Sequence, residues 1–232
     1  MKHLTILLTA AALSLVGMSA CGHSSEEQNM SIQERTEQRF RQNPNPKEAY
    51  RIRIKINDAP GPLVLEQDMD VGYLADNCEY LITSEIIGAK IPPEKDLMMP
   101  IRQIGENEYE TVVYRDAMLD EDYFGDGVCR WRVVGFGTGF KATGKAEETS
   151  FGFGGMVDEL IEQKTMTKYY WKARYPYYRN EDGSIALQND GIESMPELAI
   201  GYSYSGSDSL SVFNDEQKKN LFTITATIEE VK

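Results

Sequence analysis

Carboxylates and aromatic rings are concentrated in one stretch of this chain, Asp116–Trp131, which reads DAMLDEDYFGDGVCRW. Its centre has four acids and two aromatic rings that form a candidate partner-binding surface: Asp120, Glu121, Asp122, Tyr123, Phe124 and Asp126. Carboxylates in this number could hold calcium, attract a basic partner or act as paired acids. The stretch is therefore the first candidate for a working surface.

Calcium is one interpretation of this loop, because calcium prefers hard oxygen ligands. If Asp120 opened an EF-hand-like loop, Phe124 would fall where an oxygen ligand is needed. Trp131 would fall where the closing bidentate glutamate is needed. The spacing favours a solvated acidic loop over a calcium site, and we predict no metal and no cofactor.

The histidines narrow the chemistry further. The chain has two, His3 and His23, and both lie near the N-terminus. The residues from position 48 onwards therefore have no imidazole, which excludes a Ser-His-Asp or Cys-His nucleophile system there. Paired carboxylates could still serve a glycosidase, but the sequence singles out no two of them. We predict that the protein is not an enzyme.

Glycines are concentrated just after the acidic loop. Gly139–Lys145 reads GFKATGK and matches a phosphate-binding loop up to its lysine, but Ala146 stands where a hydroxyl must bind magnesium. We therefore do not expect nucleotide binding. Gly135, Gly137 and Gly139 alternate with larger residues. Glycines at period two predict a strongly twisted strand, or one that another element approaches closely.

A second aromatic stretch, Lys168–Arg179, interleaves tyrosines and Trp171 with basic residues. Such rings could stack on sugars or bases. The alternation more readily predicts a half-buried strand. The chain has 24 basic and 37 acidic residues and a net charge of −13, which disfavours nucleic acid and favours a basic partner. Solubility alone would also explain such a charge.

The first twenty residues have the pattern of an export signal. Lys2 precedes the apolar run Leu4–Val16, and Met18–Cys21 resembles a bacterial lipobox. We expect cleavage before Cys21 and acylation of its thiol, with Gly22 favouring the outer membrane and its periplasmic face. An ordinary cleaved signal with a free Cys21 is the alternative. A lipid of this kind would anchor the protein without spanning the bilayer.

Two cysteines then remain, Cys78 and Cys129. An even pair in an oxidising compartment predicts a disulfide, which would contribute about 4 kcal/mol by restricting the unfolded chain. Two buried free thiols are the alternative. The bond would tie the end of the acidic loop to the segment around Asn77 and make the loop a more rigid binding surface.

Residues 21–47 are polar and predict a flexible tether, with a short helix from the capping box of Ser31 and Glu34. Ile32 and Phe40 give it too little apolar surface to dock firmly. The best helix further on is Gly155–Lys164. Strand-like runs lie at Ala49–Asn57, Leu63–Glu66, Glu79–Ser84, Met99–Gly105, Tyr109–Arg115, Val128–Thr143, Lys168–Tyr178, Glu197–Ser205 and Asn220–Val231.

Many short strands with few helices predict a mostly β fold. We expect an antiparallel sandwich or barrel-like domain with one or two short helices, formed as a single unit by residues 48–232.

The pattern Asn77-Cys78, Asp120–Gly125, Gly127–Trp131, Ala142–Gly144 and Glu148–Phe151 resembles that of small lipoproteins of Gram-negative bacteria. That set is similar to immunity proteins of polymorphic-toxin and type VI secretion loci. The resemblance covers about Asp76–Gly155 and implies a protein that binds and neutralises a secreted antibacterial effector, such as a lipase, in the periplasm. A structural or assembly lipoprotein of the envelope, which could bind cell-wall glycan, is the alternative.

Overall fold

The computed structural model describes residues 31–82, 88–179, 183–189 and 199–231, with the side chains of 187–189 and 199–200 left out. The predicted export signal at 1–20 and the predicted lipidation residue Cys21 lie outside these ranges. The helices are α1 Ile32–Glu37, α2 Val157–Gln163 and α3 Asp215–Lys218, with 3-10 turns at Lys172–Arg174 and Leu210–Val212. None of the helices in the described ranges is both long and apolar enough to cross a membrane.

Fifteen strands are formed within the described residues. They are β1 Ala49–Asn57, β2 Val64–Leu65, β3 Met69–Leu74, β4 Tyr80–Leu81, β5 Lys90–Ile91, β6 Glu94–Met99, β7 Arg102–Gly105, β8 Glu108–Tyr114, β9 Arg132–Lys141, β10 Ser150–Met156, β11 Thr165–Trp171, β12 Leu187–Asn189, β13 Ala199–Gly201, β14 Ser203–Tyr204 and β15 Leu221–Glu230.

The first sheet has the order β11-β15-β1-β8-β7 and is antiparallel. Alternation in β1 sets its two faces, because successive side chains point to opposite sides of a strand. Ile52, Ile54 and Ile56 are buried in the core. On the outer face Arg53 bonds the Glu110 carboxylate at 3.0 Å and Lys55 bonds the Glu108 carboxylate at 2.7 Å.

The second sheet has the order β14-β10-β9-β3-β6, and β2 also pairs with β9. β14 runs parallel to β10, and the other pairs of this sheet are antiparallel. The sequence did not predict β3, β6 or β10. Asp70 and Gly72 interrupt β3, and β10 reads SFGFGGM, so both are poor in strand-forming residues on one face. The buried residues of β10, Phe151 and Phe153, supply the packing that holds it in the sheet.

The two sheets pack face to face around a common aromatic and aliphatic core. Phe151 of the second sheet lies 5.2 Å from Phe222 of the first, measured between ring centroids. Tyr109 and Phe140 make a second contact at 5.2 Å across the sheets. This arrangement confirms the predicted β-rich sandwich with short helices.

Three predicted elements have different bounds in the structure. The strand predicted at Lys168–Tyr178 stops at Trp171, where a 3-10 turn begins and the chain approaches Pro176. The predicted helix Gly155–Lys164 forms as α2 Val157–Gln163, and Lys164, whose φ is 65°, is its C-cap. The strand predicted at Glu197–Ser205 begins outside the described residues and is divided into β13 and β14.

The described part of the N-terminal segment packs against the domain. The capping box of Ser31 and Glu34 forms as predicted. Phe40, only 6% exposed, belongs to the core, and the side-chain amide of Asn43 donates to the Asp116 carbonyl at 2.8 Å. The prediction that segment 21–47 cannot dock is therefore wrong for Phe40, because one fully buried ring and a few backbone bonds replace the missing apolar stripe.

Candidate functional site

The acidic loop is tied down by the predicted disulfide. Cys78 and Cys129 are bonded, with their Cα atoms 5.5 Å apart, and Cys129 is fully buried. The Asn77 side chain makes two hydrogen bonds to the loop backbone on either side of Cys129. Its amide donates to the Val128 carbonyl at 2.9 Å, and its side-chain oxygen accepts from the Arg130 backbone N–H at 2.8 Å. The loop end is thereby fixed to the segment before β4.

An aromatic cluster fills the space beneath the loop. Phe40 lies at its centre, with ring-centroid distances of 5.2 to 6.3 Å to the other four members. These members are Tyr80, Tyr123, Phe124 and Trp131. The edge-to-face contacts among them are the arrangement that aromatic quadrupoles favour. The cluster links the N-terminal segment, the loop and the disulfide into one packed unit.

Burial changes the role of the two loop aromatics. Tyr123 is 5% exposed, and its hydroxyl donates to the Leu119 carbonyl at 2.6 Å. The hypothesis that Tyr123 is an exposed partner anchor is therefore wrong, because the ring is part of the core. Phe124 is half-buried and stacks on Tyr80 at 5.7 Å. Sequence reasoning could not see this inward turn, since Phe40 is distant in the chain.

The loop acids bond mainly to the protein itself. Asp120 accepts from the Trp131 backbone N–H at 2.8 Å, and Asp122 accepts from the Gly125 N–H at 2.6 Å. Glu121 forms an ion pair with Arg41. Asp126 is exposed and has no ion pair within the described residues. Asp120, Asp122 and Asp126 remain exposed and form the outer rim of the loop.

These bonds also bear on calcium. In the described ranges no group of three or more His, Cys, Asp or Glu side chains has the arrangement of a metal site. Asp120 and Asp122 direct carboxylate oxygens at backbone N–H groups, which organises the turn without a cation.

The phosphate-loop-like stretch holds an internal anion. The backbone N–H groups of Thr143, Gly144 and Lys145 donate to Glu148 Oε2 at 2.7, 3.0 and 3.2 Å. The Thr143 hydroxyl donates to Oε1 at 2.6 Å. Glu148 is 3% exposed, and its burial raises the pKa of the carboxyl, but the four hydrogen bonds outweigh that effect and lower the pKa. The carboxylate thus fills the concavity that a phosphate would need.

A cavity of about 510 Å³ lies on the outer face of the second sheet. Glycines of three strands form much of its floor: Gly72 of β3, Gly135 and Gly137 of β9, and Gly152 and Gly154 of β10. We call this cavity the glycine groove. The sheet register places these residues side by side, with Gly72 opposite Gly135 and Gly154 opposite Gly137. The alternation noticed in the sequence thus extends over neighbouring strands.

Asp70 and Asp96 stand at one side of the glycine groove. Asp70 Oδ1 is shielded from solvent and has no hydrogen-bond partner. Burial, reinforced by the neighbouring Asp96 carboxylate, raises the pKa of Asp70 against a weaker opposing bond from the Val71 backbone. No sequence signal identifies this pair, because β3 and β6 were not predicted and their pairing is a property of the folded sheet.

The groove continues into a second cavity of about 450 Å³. The two share Gly154 and Lys168. Lys168 Nζ pairs with Asp208 at 2.9 Å, and its side chain is only 15% exposed. The second cavity reaches Met156, Glu159 and Gln163 at the start and end of α2. Together they form one elongated depression across the sheet.

Rings of the second aromatic stretch, Lys168–Arg179, contact other residues of the same stretch. Tyr170 is fully buried, whereas its neighbours Tyr169 and Trp171 are only half-buried. The Arg174 guanidinium lies 3.8 Å from the centre of the Tyr178 ring and 5.3 Å from that of Trp171. These cation–π contacts leave the Trp171 ring partly exposed beside a positive charge.

Comparison with known proteins adds no relative. No protein-family model matches the chain, and neither the curated proteins nor the solved structures give a significant match.

Proposed function

We propose that this chain is a lipid-anchored binding protein on the periplasmic face of the outer membrane, where it binds and neutralises a secreted antibacterial effector. The lipobox at Cys21 supports the location, and the resemblance to immunity lipoproteins supports the partner class. The absence of histidine from position 48 onwards supports a binding role over nucleophilic catalysis.

The exposed acidic rim of the loop is the observation that carries the partner assignment. Asp120, Asp122 and Asp126 are exposed on a turn that is fixed by a disulfide and an aromatic cluster. A rigid rim loses little conformational freedom on binding, which favours affinity. Its charge would draw a basic surface of the effector and increase the association rate. A lipase is one effector class that such a rim could block.

The corresponding experiment uses the secreted chain with Cys21→Ser to capture its partner from the native periplasm. Asp122→Asn combined with Asp126→Asn removes rim charge, and Glu230→Gln removes an exposed charge far along the chain as the matched control. We expect capture of one effector, with at least a tenfold loss of affinity in the rim variant and none in the control. Equal affinity for all three proteins contradicts the rim assignment.

A structural or assembly role with cell-wall glycan is the second candidate, and the partly exposed Trp171 ring favours it. Aromatic faces can stack on sugars, and Trp171 already lies beside Arg174. Binding to purified peptidoglycan that is lost in Trp171→Ala would support this role. Retention of that binding in the variant, or no binding by either protein, would count against it.

A further inference from the structure

Some glycines in the floor of the groove have no internal packing reason to be glycine, and Gly135 and Gly137 are the two beside the acids. A Cβ at Gly137 would approach nothing closer than the Phe153 carbonyl oxygen at 3.9 Å, and one at Gly135 nothing closer than the Gly155 oxygen at 3.6 Å. Neither glycine has a positive φ. Glycine in a strand interior lowers stability relative to residues with side chains. Their presence keeps the backbone open to close approach from outside the fold.

Neighbouring glycines have internal reasons and serve as a contrast. A Cβ at Gly139 would lie 2.9 Å from Glu66, and one at Gly155 would collide with Met166. One at Gly72 would lie 3.3 Å from Asp96 Oδ1, so the carboxylate leans over that residue. The open floor therefore includes Gly135 and Gly137, directly beside the two acids, and continues to Gly152, where a Cβ would approach nothing closer than Ser205 Oγ at 3.6 Å.

Charge in the groove is unbalanced at the same place. Asp70 Oδ1 accepts no hydrogen bond although it is shielded from water. A buried acceptor without a donor is unfavourable. A cation beside the exposed carboxylate of Asp96 would offset the negative charge of the pair. Among the described residues that line the groove, Lys168 alone is basic. Its charge is paired with Asp208 at the far side, away from the two acids. The groove therefore complements a cation that arrives with its ligand.

The shape fits an extended chain. From Asp96 on β6 to Gly154 on β10 the groove crosses three strand spacings, or about 14 Å at about 4.8 Å each. About four residues of an extended polypeptide span that distance. The aromatic lining residues, Phe136 and Phe153, are 5% and 2% exposed and present no free ring to a sugar. These features favour a peptide over a glycan.

We propose that the glycine groove binds an extended polypeptide segment and that an arginine or lysine of that segment contacts Asp70 and Asp96. Gly135 and Gly137 let the peptide backbone lie against the sheet. This inference does not depend on the identity of the effector, because any partner with an exposed basic strand or loop meets the same requirements.

The experiment follows glycine amide signals by NMR in the secreted chain with Cys21→Ser and ¹⁵N-labelled glycine. The probe is a capped heptapeptide of alternating serine and valine with a central arginine, and a glutamine replaces that arginine in its counterpart. We expect the arginine peptide to shift the signals of Gly72, Gly135 and Gly137. The glutamine peptide should bind at least tenfold more weakly.

Two variants locate the binding. Asp70→Asn should weaken the arginine peptide at least tenfold, and Gly137→Val should abolish its effect by filling the floor. Gly137→Ala gives a milder block if the valine variant does not fold. Thr227→Val and Glu230→Gln are matched controls on the other sheet, and both should bind as the parent does.

Three results would overturn the proposal. One is an arginine peptide that shifts the loop signals of Gly125 and Gly127 but none in the groove. Another is peptide binding that survives both Gly137 variants. The third is a groove that responds to a soluble peptidoglycan fragment and to neither peptide, which would assign it to glycan. Loss of effector capture in the rim variant, with groove binding intact, would separate this site from the acidic rim.

Discussion

The acidic loop and the glycine groove use their polar groups in opposite ways. In the loop, Asp120 and Asp122 accept backbone hydrogen bonds and Glu121 pairs with Arg41. In the groove, Asp70 Oδ1 has no partner, and Asp96 beside it is another acid. The acids of the loop are thus bonded within the protein. Beside the glycines of β9, in contrast, a buried carboxylate oxygen of Asp70 has no hydrogen-bond partner.

The difference follows from what each region must stabilise. A loop such as Asp116–Trp131 loses conformational entropy when its backbone is ordered, and it has no continuous ladder of hydrogen bonds to offset that loss. Buried rings and side-chain bonds to the backbone offset that entropy. The groove lies on a sheet whose backbone is already ordered by its neighbours, so Gly135 and Gly137 can leave their outer face bare.

The largest expected effect is removal of the disulfide beneath the acidic loop. Replacing Cys78 and Cys129 together by serine should lower the free energy of unfolding by about 4 kcal/mol, because a closed loop of this length restricts the unfolded chain. Urea denaturation measures the change. A loss below about 1 kcal/mol would show that the loop does not depend on this bond, and the contrast with the groove would weaken.

The next effect tests the aromatic cluster. Phe40→Ala should cost about 3 kcal/mol in unfolding free energy, since a buried ring at the centre of four others is lost. Ile32→Ala, in the same N-terminal segment and 38% exposed, is the matched control and should change stability by less than about 0.5 kcal/mol. Similar losses in both variants would mean that the segment as a whole, and not the buried ring, supports the loop.

Glu148→Gln should lower stability at pH 7 by about 2 kcal/mol, because the variant loses charge-assisted bonds from a buried site. The pKa of Glu148 is lowered from its ordinary value of 4.5, so its contribution is present above pH 4.5 and disappears as pH falls through the folded-state value. Urea denaturation at several pH values should show the parent and variant converging in acid. A constant difference across that range would contradict the assignment.

Asp70 should show the opposite pH dependence. Its pKa is raised from the ordinary value of 3.8, so its contribution to stability is full below pH 3.8 and is lost as pH rises through the folded-state value. Asp70→Asn should therefore gain stability relative to the parent with rising pH. Urea denaturation across pH 3 to 8, run beside Asp126→Asn as an exposed control, measures this, and identical slopes for Asp70→Asn and the parent would remove the difference between groove and loop.

The smallest effect belongs to the floor of the groove. Gly137→Ala should raise the free energy of unfolding by about 0.5 kcal/mol, because the site has room for Cβ and the unfolded chain loses freedom. Gly139→Ala is the matched comparison and should not gain, since its Cβ would press on Glu66. Thermal denaturation of both variants is the measurement. Destabilisation by Gly137→Ala would show that the glycine serves internal packing.

Much of the fold follows from local pattern. The alternation of Ile52, Ile54 and Ile56 predicts β1 and its buried face, and the cysteine count predicts the bond between Cys78 and Cys129. The strands β3 and β10 were not predicted, because Asp70 in β3 and the glycines in β10 stand where strand-forming residues would be expected on the outer face. That depletion is itself the property that makes the groove.

The candidate sites depend on contacts between distant residues, which local pattern cannot supply. In the sequence, Tyr123 lies among acids and is expected to be exposed. It is buried because Phe40 of the N-terminal segment packs against it, and this contact is not visible in the local sequence. The lack of a partner for Asp70 depends on which strand lies beside β3. The exposure of the rim acids could be predicted from sequence, because a charged loop residue needs no distant contact to be exposed.

If Cys21 carries the proposed lipid, the docking of Phe40 limits how far the domain can lie from the membrane. If residues 21–47 were all free, an extended leash could reach about 90 Å from the membrane surface. Because the chain packs against the domain from Phe40 onward and α1 precedes it, at most the residues between Cys21 and Ser31 can act as a free tether, and a chain of that length spans no more than about 35 Å. Under the proposed function, so short a tether would keep the domain next to the outer membrane, where an incoming effector enters the periplasm.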